Sequence, residues 1–407
     1  MTEFSVFTLP NGIRCVHRRI KSPVAYLGIT IGAGTRDEGD SEHGVAHLVE
    51  HLLFKGTAHR SAYHVNSRLE NVGGELNAFT TKEETVIHAT CLKRDYIRAM
   101  ELLSDMVFNS TYPEREIEKE REVIIDEINS YKDSPADIIF DEFEGLLFAG
   151  SSLGRDILGS KKNISKATRS QIIDYISRSY NTDQMIFSSS SGLSHQRFRL
   201  LCEKYLGAVP GNKRSFGRNA PVRQPLFSLE KNKRTYQTHC IMGGYGYNLT
   251  DQRRILLAFL INILGGASTL SRLNMALREK HALTYNIEAG YTPYCDSGIY
   301  TIYFGCEEEK YEKACEMVRK EISLLRDTPL TPMQLSRAKR QFIGQLALAS
   351  DNVENFMLSL AKSLLIYDNF DSTSEIARKI DSIDAASLQE VACEIFADDN
   401  IYVLTYK

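Results

Sequence analysis

Matched landmarks recur along this chain in the same order, and that internal repeat limits the folds open to it more than any other feature. Ser67-Arg68-Leu69 returns as Ser271-Arg272-Leu273, and Pro113 with Glu120 and Glu127 is answered by Pro332 with Lys339 and Leu346 at identical spacings. A duplicated chain of 407 residues builds two similar domains rather than one large core. Between Val209 and Arg234, Pro210, Pro221 and Pro225 stand beside Gly211 and Gly217, a composition that reads as a linker. The expected division is therefore a domain at 1–208, a linker at 209–234 and a homologous domain at 235–407.

Local periodicity in the first copy alternates between two and 3.6 residues. It predicts a hairpin over 4–18 turning at Pro10-Asn11-Gly12, and strands at 25–31, Glu75–Thr80 and Thr85–Leu92. Helices are expected at 42–54, 94–109, 113–131, 136–147, 168–179 and 194–206. The fold class is α+β: two homologous domains, each a mixed antiparallel sheet with helices packed on it. Lys and Arg (49) nearly balance Asp and Glu (52), so there is no electrostatic footprint for nucleic acid. The longest strongly apolar stretch, 255–264, is too short to span a bilayer, so no membrane partner is expected. The first residues alternate polar and apolar rather than reading as a signal peptide, and the eight cysteines form no CxxC pair; both features point to a cytoplasmic chain with reduced thiols.

Chemistry concentrates early. His47-Leu48-Val49-Glu50-His51 is an HxxEH box on the predicted helix 42–54, and residues four apart share a helix face, so both imidazoles can reach one cation with Glu50 beside it. That donor set suits zinc, with an open position for a water whose pKa the ion lowers and whose proton Glu50 takes as general base. His43 extends the ladder by one step, but it falls in the first, frayed turn, and no carboxylate stands between 43 and 47. A third ligand is required. The helix 113–131 carries Glu120 and Glu127 two turns apart on one face, beside the apolar stripe Ile117, Ile124 and Ile128. Spacing alone leaves a metal ligand and a solvated charged face equally open there. In the second copy the positions facing His47, Glu50 and His51 are apolar, either Leu256, Phe259 and Leu260 or Leu257, Leu260 and Ile261, so only the first copy is chemical.

The segments HGVAHLVEHLLFKGT, GGELNAFTTKEET and EREVIIDEI together resemble the insulinase/pitrilysin family of zinc peptidases, closest in size to the mitochondrial processing peptidase-like bacterial members. NGIRCV, LGRDILG at 153–159 and GGASTLSRLNMALREKHALTY extend the resemblance over most of the chain. The resemblance implies His47, His51 and Glu127 as zinc ligands, Glu127 lying the family's 76 positions beyond His51, with Glu120 as the carboxylate just outside them. It also implies that Asn77 and Ala78 lie on a strand whose edge accepts peptide, and that Arg278 and Tyr285 contact substrate and polarise the scissile carbonyl. The expected function is a zinc metalloendopeptidase acting on short or unfolded peptides enclosed in a clamshell homodimer. The alternative is a catalytically inactive zinc-bearing core or partner subunit of a larger assembly. Glu70, Glu75, Glu83, Glu84, Glu116 and Glu118 raise the further expectation of an acidic chamber favouring basic peptides, against simple solvation of those charges.

Overall fold

In the computed structural model, which describes residues 4–407, the two copies build two sheets of the same connectivity. The first sheet runs from edge to edge as β1 (Phe4–Thr8), β2 (Arg14–Arg19), β6 (Met185–Ser191), β3 (Val24–Ile31), β5 (Thr85–Leu92) and β4 (Glu75–Thr80). The second runs β7 (Ser228–Lys231), β11 (Tyr402–Tyr406), β8 (Thr238–Tyr245), β10 (Gly298–Cys306) and β9 (Thr284–Pro293). With β1 set aside, each sheet places the strands of its copy in the order first, fifth, second, fourth, third. In each, the first-to-fifth pairing is parallel and the others are antiparallel. The repeat in sequence is thus a repeat of topology.

The first copy contributes helices α1 (Val45–Leu52), α2 (Ala62–Glu70), α3 (Tyr96–Asn109), α4 (Glu114–Lys132), α5 (Pro135–Leu147), α6 (Lys161–Ile164), α7 (Arg169–Ser179) and α8 (His195–Leu206). The second contributes α9 (Arg254–Gly265), α10 (Tyr311–Asp327), α11 (Pro332–Asp351), α12 (Val353–Tyr367), α13 (Thr373–Asp381) and α14 (Ala385–Ile395), with a π-helical segment at Asn274–Glu279.

The compact units differ from the expected 1–208 and 235–407. One comprises the chain through Ser130, then Arg155–Arg218 and Ala349–Phe370; the other comprises Tyr131–Gly154, Asn219–Leu348 and Asp371–Lys407. Each copy has given one helix to the other unit: α5 packs on β8 and β11, and α12 packs on β2, β3 and β6. The cause is that both sheets are apolar on two faces. In the first, Leu27, Ile29, Ile31, Ile87 and Ala89 enter the main core, while Val16 and Ile186 on the reverse face are covered by Leu360, Ala361 and Leu364 of α12. In the second, Ile241, Ile299 and Leu404 are covered by Ile139, Phe143 and Leu147 of α5. The stretch expected as a linker is pinned at both ends. Arg214 and Arg218 pair with Asp37, whose side chain is fully buried, and residues 228–231 form β7.

His17 sits in the first core with its ring stacked 4.7 Å from Phe198 and its Nε2 3.2 Å from the Leu193 carbonyl. Burial pushes its pKa down to about 4 from an ordinary value near 6.5, and the neighbouring His195 adds to the shift. The folded protein therefore holds His17 neutral, and its contribution is present above pH 6.5 and lost as pH falls towards 4. At full protonation the loss amounts to about 3 kcal/mol. In urea titrations of the metal-free protein, His17→Gln is expected to flatten the decline of stability over that window. An unchanged slope would show that other groups drive it.

Candidate metal centre and catalytic site

The polar face of α1 is set by what its apolar face must bury. Val45, Leu48, Val49 and Leu52 enter the core, which turns His47, Glu50 and His51 away from it. The two imidazoles stand with ring centroids 4.6 Å apart and nearly perpendicular. On α4, the buried stripe Ile117, Ile124 and Ile128 fixes the helix so that Glu120 and Glu127 face α1. Glu127 Oε2 lies 3.9 Å from His47 Nε2 and 3.8 Å from His51 Nε2, and the three donor atoms fall within 4.8 Å of one another.

The donor set fits zinc. Two imidazole nitrogens and one carboxylate oxygen are ligands this ion takes, and the two carboxylate–imidazole separations are about half an ångström wider than the roughly 3.3 Å that a tetrahedral ion would set. His47 is pushed down to about 4 by burial and by the adjacent His51, so at neutral pH its ring is uncharged and keeps a lone pair for a metal. His47 Nδ1 is buried without a hydrogen-bond partner. His51 is braced: its Nδ1 lies 3.0 Å from Glu120 Oε2, and Glu120 Oε1 lies 2.8 Å from Lys55 Nζ. This network assigns the proton to Nδ1 and leaves Nε2 free to ligate. Glu50 is half-buried, and burial raises its carboxyl pKa; Thr80 and His51 pull the other way and Glu127 adds to the rise. A carboxylate held this way is better matched to accepting a proton near neutrality than an exposed one.

His43 precedes α1, and its Nε2 lies 3.0 Å from the Asp156 carbonyl, turned to that loop instead of joining the three converging donors. Asn77 and Ala78 lie on β4, which pairs with β5 along one side only: Asn77 opposite His88 and Ala78 opposite Ile87. Among the described residues no strand pairs with the other side of β4, and α1 packs against this strand. Arg278 and Tyr285 belong to the second unit. Arg278 ends in the π-helical segment and hydrogen-bonds Glu279 at 3.0 Å, while Tyr285 projects from β9 almost fully exposed. In α9 the residues matching the histidine helix, including Leu257, Phe259, Leu260 and Ile261, are buried apolar side chains. Of the six glutamates expected to give an acidic chamber, three are already paired: Glu83 with Arg36, Glu84 with Lys362 and Glu116 with Lys119. Only Glu70, Glu75 and Glu118 remain exposed acids, so the charge argument for basic peptides shrinks accordingly. Lys55, which completes the bracing of His51, escaped the sequence reading because a lone lysine after a helix carries no pattern.

Residues 15–161 match the family model described as insulinase (peptidase family M16), and residues 166–342 match the model described as the peptidase M16 inactive domain. An uncharacterised zinc protease of Bacillus subtilis, YmxG, is 29% identical over 97% of this chain and 96% of its own. An uncharacterised zinc protease of Mycobacterium tuberculosis is 31% identical over 95% of this chain and 89% of its own. Among solved structures, a protease from Helicobacter pylori superposes with a TM-score of 0.91 at 19% identity, covering all of both chains. A peptidase M16 inactive domain from Pseudomonas fluorescens does so with a TM-score of 0.91 at 18% identity, covering 100% of this chain and 98% of the other. These last two likenesses concern the fold.

Proposed function

The chain belongs to the insulinase family of peptidases, family M16, whose cofactor is zinc, and from that premise we propose that it is a zinc metalloendopeptidase cleaving short or unfolded peptides. The observation that carries the reading is the convergence of His47, His51 and Glu127 with Glu50 on the same helix face. Those three residues would hold the ion. When bound, zinc supplies Lewis acidity and makes a water acidic enough to attack at neutral pH.

The remaining work falls to side chains and backbone. Glu50 accepts the proton of the attacking water and returns it to the leaving amine. The free side of β4 at Asn77 and Ala78 pairs with an extended peptide through main-chain hydrogen bonds, a mode tolerant of side-chain sequence that requires an unfolded substrate. Arg278 and Tyr285 offer a guanidinium and a phenol hydroxyl to the carbonyl oxygen as it gains charge. The exposure of Tyr285 supports this role, since an aromatic side chain free of packing is available to a ligand.

Hydrolysis of a quenched, unstructured peptide should be seen with the purified protein, stop on addition of a chelator and return with stoichiometric zinc. Activity indifferent to the chelator would refute the reading. The proposed working unit is a homodimer in which Arg278 and Tyr285 of one copy serve the metal site of its partner. Inactive Glu50→Gln and Tyr285→Phe chains mixed under exchange conditions should then recover about one quarter of wild-type activity, since half of the random pairs hold one intact site. No recovery would place all the chemistry within one chain.

A further inference from the structure

The helix that carries both histidines is two turns long and starts at Gly44, whose φ of 102° and missing side chain leave it without a side-chain cap of its own. A carboxyl group from upstream takes that role. Both Glu38 oxygens accept the Gly44 N–H at 3.1 Å, and Oε1 also accepts the Ala46 N–H at 2.8 Å. Glu38 is only 6% exposed, so these bonds lie where water does not compete for them. Ala46 is the residue before His47. The bonds to Glu38 therefore act one peptide unit away from a metal ligand.

Glu38 is itself held from several directions. Arg155 donates to the Glu38 carbonyl and to the Gly39 carbonyl, each at 3.2 Å, and pairs with Asp40. The adjacent Asp37 pairs with Arg214 and Arg218 at 2.6 and 2.7 Å. Glu42 accepts the Gly39 N–H at 2.7 Å and pairs with Arg178 at 2.6 Å. Backbone packing closes the remaining side. A Cβ on Gly159, whose φ is 79°, would stand 2.3 Å from Gly44 Cα, and a Cβ on Gly44 would stand 2.5 Å from Ile164 Cδ1. The segment 155–159 thus crosses the start of α1 with no room for a side chain between them, which explains why glycine is needed at both points.

We propose that Glu38 is the positioning residue of the metal helix, its side-chain carboxyl oxygens setting the placement from which α1 presents His47 and His51 towards Glu127. The assignment rests on the zinc-peptidase reading above. Without this acceptor the Gly44 and Ala46 N–H groups have no partner in a dry site, and the first turn must shift to reach one. His47 shifts with it.

Metal binding tests this directly, with Co2+ as a spectroscopic probe and Zn2+ measured by competition with a chromophoric chelator. In Glu38→Leu, which removes both acceptor oxygens, zinc affinity is expected to fall by about 10- to 100-fold, the range seen when a group orienting a metal ligand is lost. The visible Co2+ spectrum should change in position and intensity, while the metal-free protein keeps its far-UV circular dichroism. A folded Glu38→Leu protein with wild-type affinity and spectrum would overturn the assignment. If that variant does not fold, Arg155→Met loosens the same loop with Glu38 in place; a smaller loss of affinity is expected, and wild-type binding would overturn the assignment. Wild-type protein that binds neither ion would overturn the metal reading itself, and with it this assignment.

Discussion

Glu50→Gln is expected to lower kcat for peptide hydrolysis by about 10²- to 10⁴-fold, the worth of a positioned general base, while zinc stays bound at one ion per chain. Glutamine has the shape and nearly the volume of glutamate, so α1 should hold its place on the core through Val45, Leu48, Val49 and Leu52. It cannot accept a proton at neutral pH. No ligand is removed either, because His47, His51 and Glu127 are the three groups whose donor atoms converge. The diagnostic result is therefore a dead protein with full metal content and unchanged thermal stability. A variant retaining activity within tenfold of wild type would mean that another group takes the proton.

Removal of a converging ligand should fail in the opposite way. Glu127→Gln is expected to weaken zinc binding by more than about 100-fold, beyond the loss of an outer hydrogen-bonding partner, because a neutral amide oxygen replaces a charged donor. Activity at low zinc should vanish and return partly at high zinc, which an intact site lacking its base could not do. Glu127 is exposed and makes no core contact, so the fold should be unaffected. The second copy provides the control. Leu346 occupies the matching place on α11, and Leu346→Ala should leave zinc stoichiometry untouched. Equal zinc affinity in Glu127→Gln and wild type would remove this residue from the ligand set.

Much of this site was legible because its signals are local. The HxxEH spacing needs one helical turn, and the strands at Glu75–Thr80 and Thr85–Leu92, the first alternating and the second rich in β-branched residues, match the structure at both ends. Long-range placement left weaker marks. The central strand β6 went unread because Ser188, Ser189, Ser190 and Ser191 are buried there, and a run of serines resembles a loop in any pattern built on hydrophobicity. The helix α2 has a polar sequence with only Val65 and Leu69 buried, too few to show a period. Glu38 carries no local signal in GTRDEGDSEHG; its proposed role depends on Gly44 lacking a side chain six residues later, a relation visible only in three dimensions. The exchange of α5 and α12 could not be read either, since each is amphipathic and the sequence does not say which sheet it covers.

That exchange dictates when the molecule can be finished during synthesis. The amino-terminal sheet is complete in strands once Ser191 has been made, yet its reverse face waits for a helix more than 160 residues away along the chain. Arg14, for example, donates to the Leu364 carbonyl across 350 positions of sequence. A ribosome releasing this chain therefore exposes Val16 and Ile186 until almost the last helices emerge. The high sequence separation of these contacts makes the closing step slow, and it makes the nascent half a natural client for chaperones.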